Sequence, residues 1–143
     1  MMDSQQNMPD TFRLDYPLID VQHEVLFALY HEVGLALGGG DEPFDLADIF
    51  SGLNFYVDTH LAFEENAMLV TGYPQLDTHR IGHQALRDGV GGLYARFLSA
   101  SEPQESRQIA GQIADFLYAW LEEHIARVDR DLCRHLKEHA FGE

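Results

Sequence analysis

The chain has 143 residues, 45% of them hydrophobic, which suits one globular domain with its own core and argues against both a disordered chain and a second domain. Its 24 Asp and Glu against 9 Lys and Arg give a net charge of −15, spread along the chain without a basic cluster, so nucleic acid and anionic membrane are poor partners. The single Cys133 excludes an internal disulfide, and the polar, acidic N-terminus offers neither a signal sequence nor a membrane span, so a cytoplasmic protein is expected.

Residues 1–17 read as an N-terminal arm whose Phe12, Leu14 and Tyr16 are expected to pack on the outside of the domain, which is taken as residues 18–140. A first helix opens near Asp20 as N-cap and sets Leu26, Phe27, Tyr30, Val33, Gly34 and Leu37 on one stripe, together with His23, before "GGGDEP" stops it. A second, with Asp45 as candidate cap, carries Leu46, Ile49, Phe50, Leu53, Val57, His60, Glu64, Ala67 and Met68 at spacings of three and four, and "TGYP" ends it. A third places Leu76, His79, His83, Leu86, Val90, Leu93, Tyr94 and Phe97 on one side, although "DGVGGLY" loads it with glycines. Each interior Gly costs roughly 1 kcal/mol relative to Ala, so a kink or a close helix contact is expected there. Ser101 to Gln104 resembles a capping box with Pro in the first turn, and a fourth helix follows through Ile109, Ile113, Phe116, Leu117, Trp120, His124, Val128 and Leu132. Four amphipathic helices with short connections predict an all-α, antiparallel up-down-up-down four-helix bundle with the arm attached.

Ionisable groups on the inward stripes need an explanation, because burying an unpaired charge costs several kcal/mol unless its pKa shifts to neutralise it. His60 and Glu64 are four apart, as are His79 and His83, so each pair shares a helix face and can aim at a common point. His23 and His124 lie on inward stripes too. A lone inward His is more often a hydrogen-bonded core residue than a ligand, but polar donors on all four stripes together favour metal binding. Asp129 is five residues after His124, about 140° around an ideal helix, and would join the cluster only through a local bend or a π-type turn.

Five imidazoles with one or two carboxylates are too many donors for one tetrahedral zinc, and the absence of paired cysteines excludes a structural zinc site. Two ions bridged by carboxylates fit better, and imidazole with carboxylate suits iron. Oxygen-activating di-iron bundles use Glu-x-x-His pairs, and no Glu-x-x-His occurs here. Replacing carboxylates by neutral imidazoles lowers the negative charge at the metals, which favours the diferrous state and reversible oxygen binding.

The stretches "IDVQHEVLF" (19–27), "HLAFEENAM" (60–68) with "TGYP", "HRIGH" (79–83) and "WLEEHIARVD" (120–129) resemble the hemerythrin family, and within it the single-domain bacteriohemerythrins, over roughly residues 18–136. The resemblance implies a four-helix bundle around two non-haem irons, bridged by oxo or hydroxo, that bind dioxygen reversibly. By motif position it assigns His79, His83 and His124 to a saturated iron and His23 and His60 to an iron with an open place. Glu64 and Asp129 would bridge the two, and Leu26, Phe27, Phe63 and Ile125 would form a dry oxygen pocket. Two departures lie outside the ligand set. "FRLDYPLID" lacks the Trp and Gly often seen before the first histidine, and Glu24 stands where the family often has Lys.

The expectation is therefore a monomeric, non-enzymatic oxygen-binding protein for storage, delivery or sensing. A di-iron peroxidase or nitric-oxide-handling enzyme using the same open iron is the alternative, and a plain helical interaction module holding adventitious metal is a third. Among the remaining polar residues, Glu65 and His31 are expected at the surface or edge, and His135 and His139 near a helix C-terminus where positive charge is mildly favoured. Met68 and Trp120 are expected as core fillers.

Overall fold

A computed structural model describes residues 8–38 and 46–141. Helix α1 spans Pro17–Leu37, α2 Leu46–Thr71, α3 Leu76–Ser99 and α4 Pro103–Glu123; a six-residue π segment, His124–Asp129, then leads into α5, Arg130–Glu138. The last three form one continuous rod, so the molecule is a four-helix bundle in which each rod packs on its sequence neighbours and α4 closes back on α1. Among the described residues there is no strand, and no helix is long and apolar enough to cross a membrane.

Helix α1 starts at Pro17, earlier than Asp20, because Pro suits the first helical position, where its missing N–H would have no partner anyway. Asp20 still caps, from inside the first turn: its carboxylate accepts the backbone N–H of Leu14 at 2.9 Å and of Tyr16 at 3.2 Å. The cap expected at Asp45 and most of the "GGGDEP" stop lie outside the described residues. Helix α2 ends as "TGYP" predicts. Gly72 takes φ 69°, a left-handed value that Gly adopts freely, and the N–H groups of Gly72 and Tyr73 bond back to the carbonyls of Leu69 and Met68. Ser101 does not cap α4. Pro103 drives the preceding residue to extended backbone, so Glu102 (φ −116°, ψ 137°) takes the N-cap position and Pro103 the first helical one.

The arm does not lie on the outside. Met8, Phe12, Leu14 and Tyr16 are all buried, with Phe12 stacked on Phe27 at a centroid distance of 5.2 Å. A 3₁₀ turn, Asp10–Phe12, packs against the π segment, while Lys137 donates to the Leu14 carbonyl at 3.1 Å and the Tyr16 hydroxyl donates to the carbonyl of Phe141. The described part of the arm is thus buried with the core, and it ties the start of α1 to α5 and Phe141.

The inward stripes are apolar as the periodicity predicts. Leu26, Phe27, Phe50, Leu53, Leu61, Met68, Leu86, Ile113, Leu117, Leu121 and Ile125 are buried, while on the first stripe Tyr30 and Leu37 are half-buried and Gly34 is exposed. Of the two outcomes expected for the third helix, the close contact is found: α3 is continuous, and a Cβ built at Gly89 would stand 2.1 Å from Cζ of Phe116 on α4. Gly92 meets nothing within 4 Å. Gly89→Ala must therefore push the Phe116 ring aside, a form of overpacking that costs about 1–3 kcal/mol, while Gly92→Ala gains about 0.5–1 kcal/mol from helix propensity. Urea melts of the two variants should move in opposite directions, and equal shifts would show that Gly89 is not a contact position.

Candidate metal centre

All four rods deliver polar side chains to one interior point. Helix α1 supplies His23, α2 His60 and Glu64, α3 His79 and His83, and the π segment His124 and Asp129. None of the seven is more than 5% exposed. The i,i+4 pairs on α2 and α3 share a face as the helical repeat requires. Asp129 joins them because the π segment widens the turn by one residue, so that a spacing of five returns to the same side; this is the local feature the sequence required if Asp129 was to take part.

The two carboxylates divide the histidines into two sets. Glu64 Oε1 lies 3.2 Å from His79 Nε2 and 3.0 Å from His83 Nε2, whereas its Oε2 lies 3.2 Å from His60 Nε2 and 3.8 Å from His23 Nε2. Asp129 Oδ1 lies 3.2 Å from His79 Nε2 and 3.0 Å from His124 Nε2, and its Oδ2 lies 3.0 Å from His23 Nε2. Each carboxylate thus turns one oxygen to a three-histidine set and the other to a two-histidine set. The donor atoms fall accordingly into two groups, Glu64, His79, His83, His124 and Asp129, and His23, His60, Glu64 and Asp129, with all atoms in each group within 4.8 Å of one another.

Several of these contacts are close but misaligned. Both oxygens of Asp129, Glu64 Oε2 and both ring nitrogens of His23 are buried without a hydrogen bond, although charged neighbours stand about 3 Å away. His79 and His124 even bring their Nε2 atoms to 3.2 Å from each other. Lone pairs that converge on shared points rather than on one another are what bound cations would satisfy, since an unsatisfied buried polar atom is otherwise costly. The donor chemistry also fits: imidazole and carboxylate, with no thiolate. The cluster is able to hold metal ions.

Outer contacts orient the rings. Gln22 Oε1 stands 2.6 Å from His60 Nδ1, Glu65 Oε2 stands 2.8 Å from His83 Nδ1, and the Trp120 ring stacks on His124 at 4.0 Å and 17°. Neither Gln22 nor Glu65 was marked by periodicity. The expectation that Glu65 is exposed is corrected: its side chain is only 17% exposed, held between His83 and Arg87 over the seam of α2 and α3. Trp120 is half-buried and covers a cluster histidine rather than filling the core. Glu24, the acid beside His23, is buried against Arg13 of the arm at 2.9 Å. Of the residues assigned to an oxygen pocket, Leu26, Phe27 and Ile125 are buried, and Phe63 is half-buried with its ring 6.1 Å from that of Phe141. His135 is half-buried 2.9 Å from the Thr71 hydroxyl, and His139 is exposed.

Without metal, protons fill the cluster. Burial alone would lower the pKa of His23 and His79, but the close approach and negative charge of Asp129 and Glu64 outweigh it and raise both to about 9. Burial would raise Glu64 and Asp129, yet the surrounding histidines hold both well below the ordinary carboxylate range. The histidine contribution to stability is complete below the ordinary value of 6.5 and fades as pH rises to about 9; the carboxylate contribution is complete above 4.5 and fades as pH falls. The metal-free chain should therefore resist urea best between these limits and weaken from pH 6.5 to 9, and a denaturation midpoint that stays level across that interval would contradict the arrangement.

Residues 14–136 match the hemerythrin HHE cation binding domain. The chain is also 26% identical over 126 residues to a bacteriohemerythrin of Clostridium acetobutylicum, covering 85% of this chain and 94% of that protein. A bacteriohemerythrin of Stenotrophomonas maltophilia is 24% identical over 130 residues, 91% of this chain and 80% of its own length. The bundle, the convergent donors and a match spanning most of the sequence lead to one conclusion: the chain belongs to the hemerythrin family of cation-binding domains.

Proposed function

We propose that this protein binds dioxygen reversibly at two non-haem irons, bridged by oxo or hydroxo, for oxygen storage, delivery or sensing. The observation that carries the reading is the unequal division of donors: one group has three histidines and the other two, and both share Glu64 and Asp129. His79, His83 and His124 would hold one iron, His23 and His60 the other, and Glu64 and Asp129 would bridge them. The two-histidine side has one protein donor fewer, which leaves a place for a small exogenous ligand. When bound, the iron pair supplies the two electrons that reversible uptake of dioxygen requires.

The remaining work belongs to the chain itself. Among the described residues, the buried carboxylates outside the cluster are Asp20 and Glu24, and both are tied to the arm, at Leu14, Tyr16 and Arg13. Leu26, Phe27 and Ile125 would keep the open side dry, and the bacteriohemerythrin names of two relatives agree with an oxygen-binding role.

Anaerobic loading with Fe(II) should give two irons per chain, and admitting air should produce a charge-transfer band that disappears on degassing. Irreversible oxidation accompanied by peroxide or nitric oxide turnover would instead favour the enzyme, and absence of iron uptake would leave only a helical interaction module. His83→Ala should reduce the iron content below two while leaving the helical circular dichroism in place; full iron content in that variant would remove His83 from the ligand set.

A further inference from the structure

The five cluster histidines differ in what stands behind them. His60 has a neutral amide, Gln22, at Nδ1, whereas His23 Nδ1 and His79 Nδ1 are buried with no hydrogen-bond partner. Among the described residues only His83 shows a carboxylate at that nitrogen, Glu65 Oε2 at 2.8 Å. That carboxylate is held in turn by both terminal nitrogens of Arg87, at 3.0 and 3.3 Å, and Arg87 Nε donates to Asp58 at 3.0 Å. The order follows from helical spacing. Arg87 lies one turn beyond His83 on α3, and Asp58 two turns before Glu65 on α2, so the four line the same seam.

An anionic acceptor at Nδ1 pushes electron density through the imidazole to Nε2 and strengthens it as a ligand, above all toward a more highly charged metal ion. A guanidinium gripping the far side of that carboxylate withdraws part of the charge, and the bidentate pairing fixes its position. We infer that Glu65 and Arg87 form an electrostatic pair acting through His83 that sets the reduction potential of the metal centre, Glu65 stabilising the oxidised state and Arg87 moderating it. Both are positioning residues. The inference rests on the di-iron reading and deepens it, since it makes the three-histidine side the better home for the more oxidised ion. Arg87 is 25% exposed beside a surface depression it shares with Glu65, Arg80, Ile81 and Gln84, so it can be replaced without opening the core.

The test compares the iron-loaded parent with Glu65→Gln, which keeps an acceptor oxygen and removes the charge, and with Arg87→Met, which keeps the stem and frees the carboxylate. Midpoint potentials from mediated spectroelectrochemistry and iron affinity from chelator competition are the readouts. Glu65→Gln should raise the potential and weaken iron binding by roughly tenfold to a hundredfold. Arg87→Met should lower the potential. Loss of packing alone would move both variants the same way, so shifts of one sign, or none, with two irons still bound, overturn the inference and leave the di-iron reading standing. If Glu65→Gln no longer holds iron, Arg87→Met decides alone, a lowered potential supporting the inference and an unchanged one overturning it. A parent chain that takes up no iron overturns both.

Discussion

Seven ionisable side chains meeting in the interior of a small bundle are the constraint from which the rest of this structure follows. A carboxylate or imidazolium has no tolerable place among Leu26, Leu61 and Leu121 unless something of opposite charge shares it. In the metal-free chain that role falls to protons held on His23 and His79 against Glu64 and Asp129; in the loaded chain it falls to cations. Folding and metal binding therefore draw on the same contacts, and ligand protons must leave as metal enters. The apolar residues surrounding the cluster exclude water and keep those contacts strong.

The same constraint explains the peripheral devices. Acceptors from outside, Gln22 Oε1 for the His60 ring and Glu65 Oε2 for the His83 ring, stop the rings from turning toward other partners. Trp120 lies flat over His124 where the bundle would otherwise admit solvent. Below the centre the arm serves a comparable purpose, with Phe12 on Phe27 and Arg13 neutralising Glu24, an acid buried one residue from His23. The buried negative charge of Glu24 is thus accommodated by a cation from the arm, eleven residues earlier. Arg13 on Glu24 shows that part of the interior charge is handled by a group outside the cluster.

Helical stripes and their histidines were legible in the sequence because burial follows a repeat of three and four residues, which a chain of this composition states openly. Asp129 was legible only as a conditional, awaiting the wide turn that the structure supplies. What periodicity missed has a common cause. Glu65 is a single residue past Glu64 and so points about 100° away, toward either solvent or a neighbouring helix. Arg87 on α3 decides which, and no local pattern ties the two together. Asp20 and Ser101 misled for a different reason: prolines at 17 and 103 claim the first helical position and shift each boundary, turning Asp20 into an interior cap and leaving Ser101 outside. The burial of Phe12, Leu14 and Tyr16 likewise depends on contacts with Phe27, Lys137 and Phe141 far along the chain.

The wide turn at His124–Asp129 also has a bearing on chain length. It stores one surplus residue in the middle of a rod, and everything beyond it is phased to that surplus: Leu132, Cys133 and Leu136 face inward, and Lys137 reaches Leu14, only because the offset is present. Straightening the turn to ordinary pitch without shortening the chain would rotate the segment beyond it, Arg130–Glu138, by about 100° away from its present face, whereas removing one residue between 125 and 128 would bring the spacing to four and let an ordinary helix keep that face. Pitch and residue count are matched in this region, so that a change in one holds the site together only with a compensating change in the other.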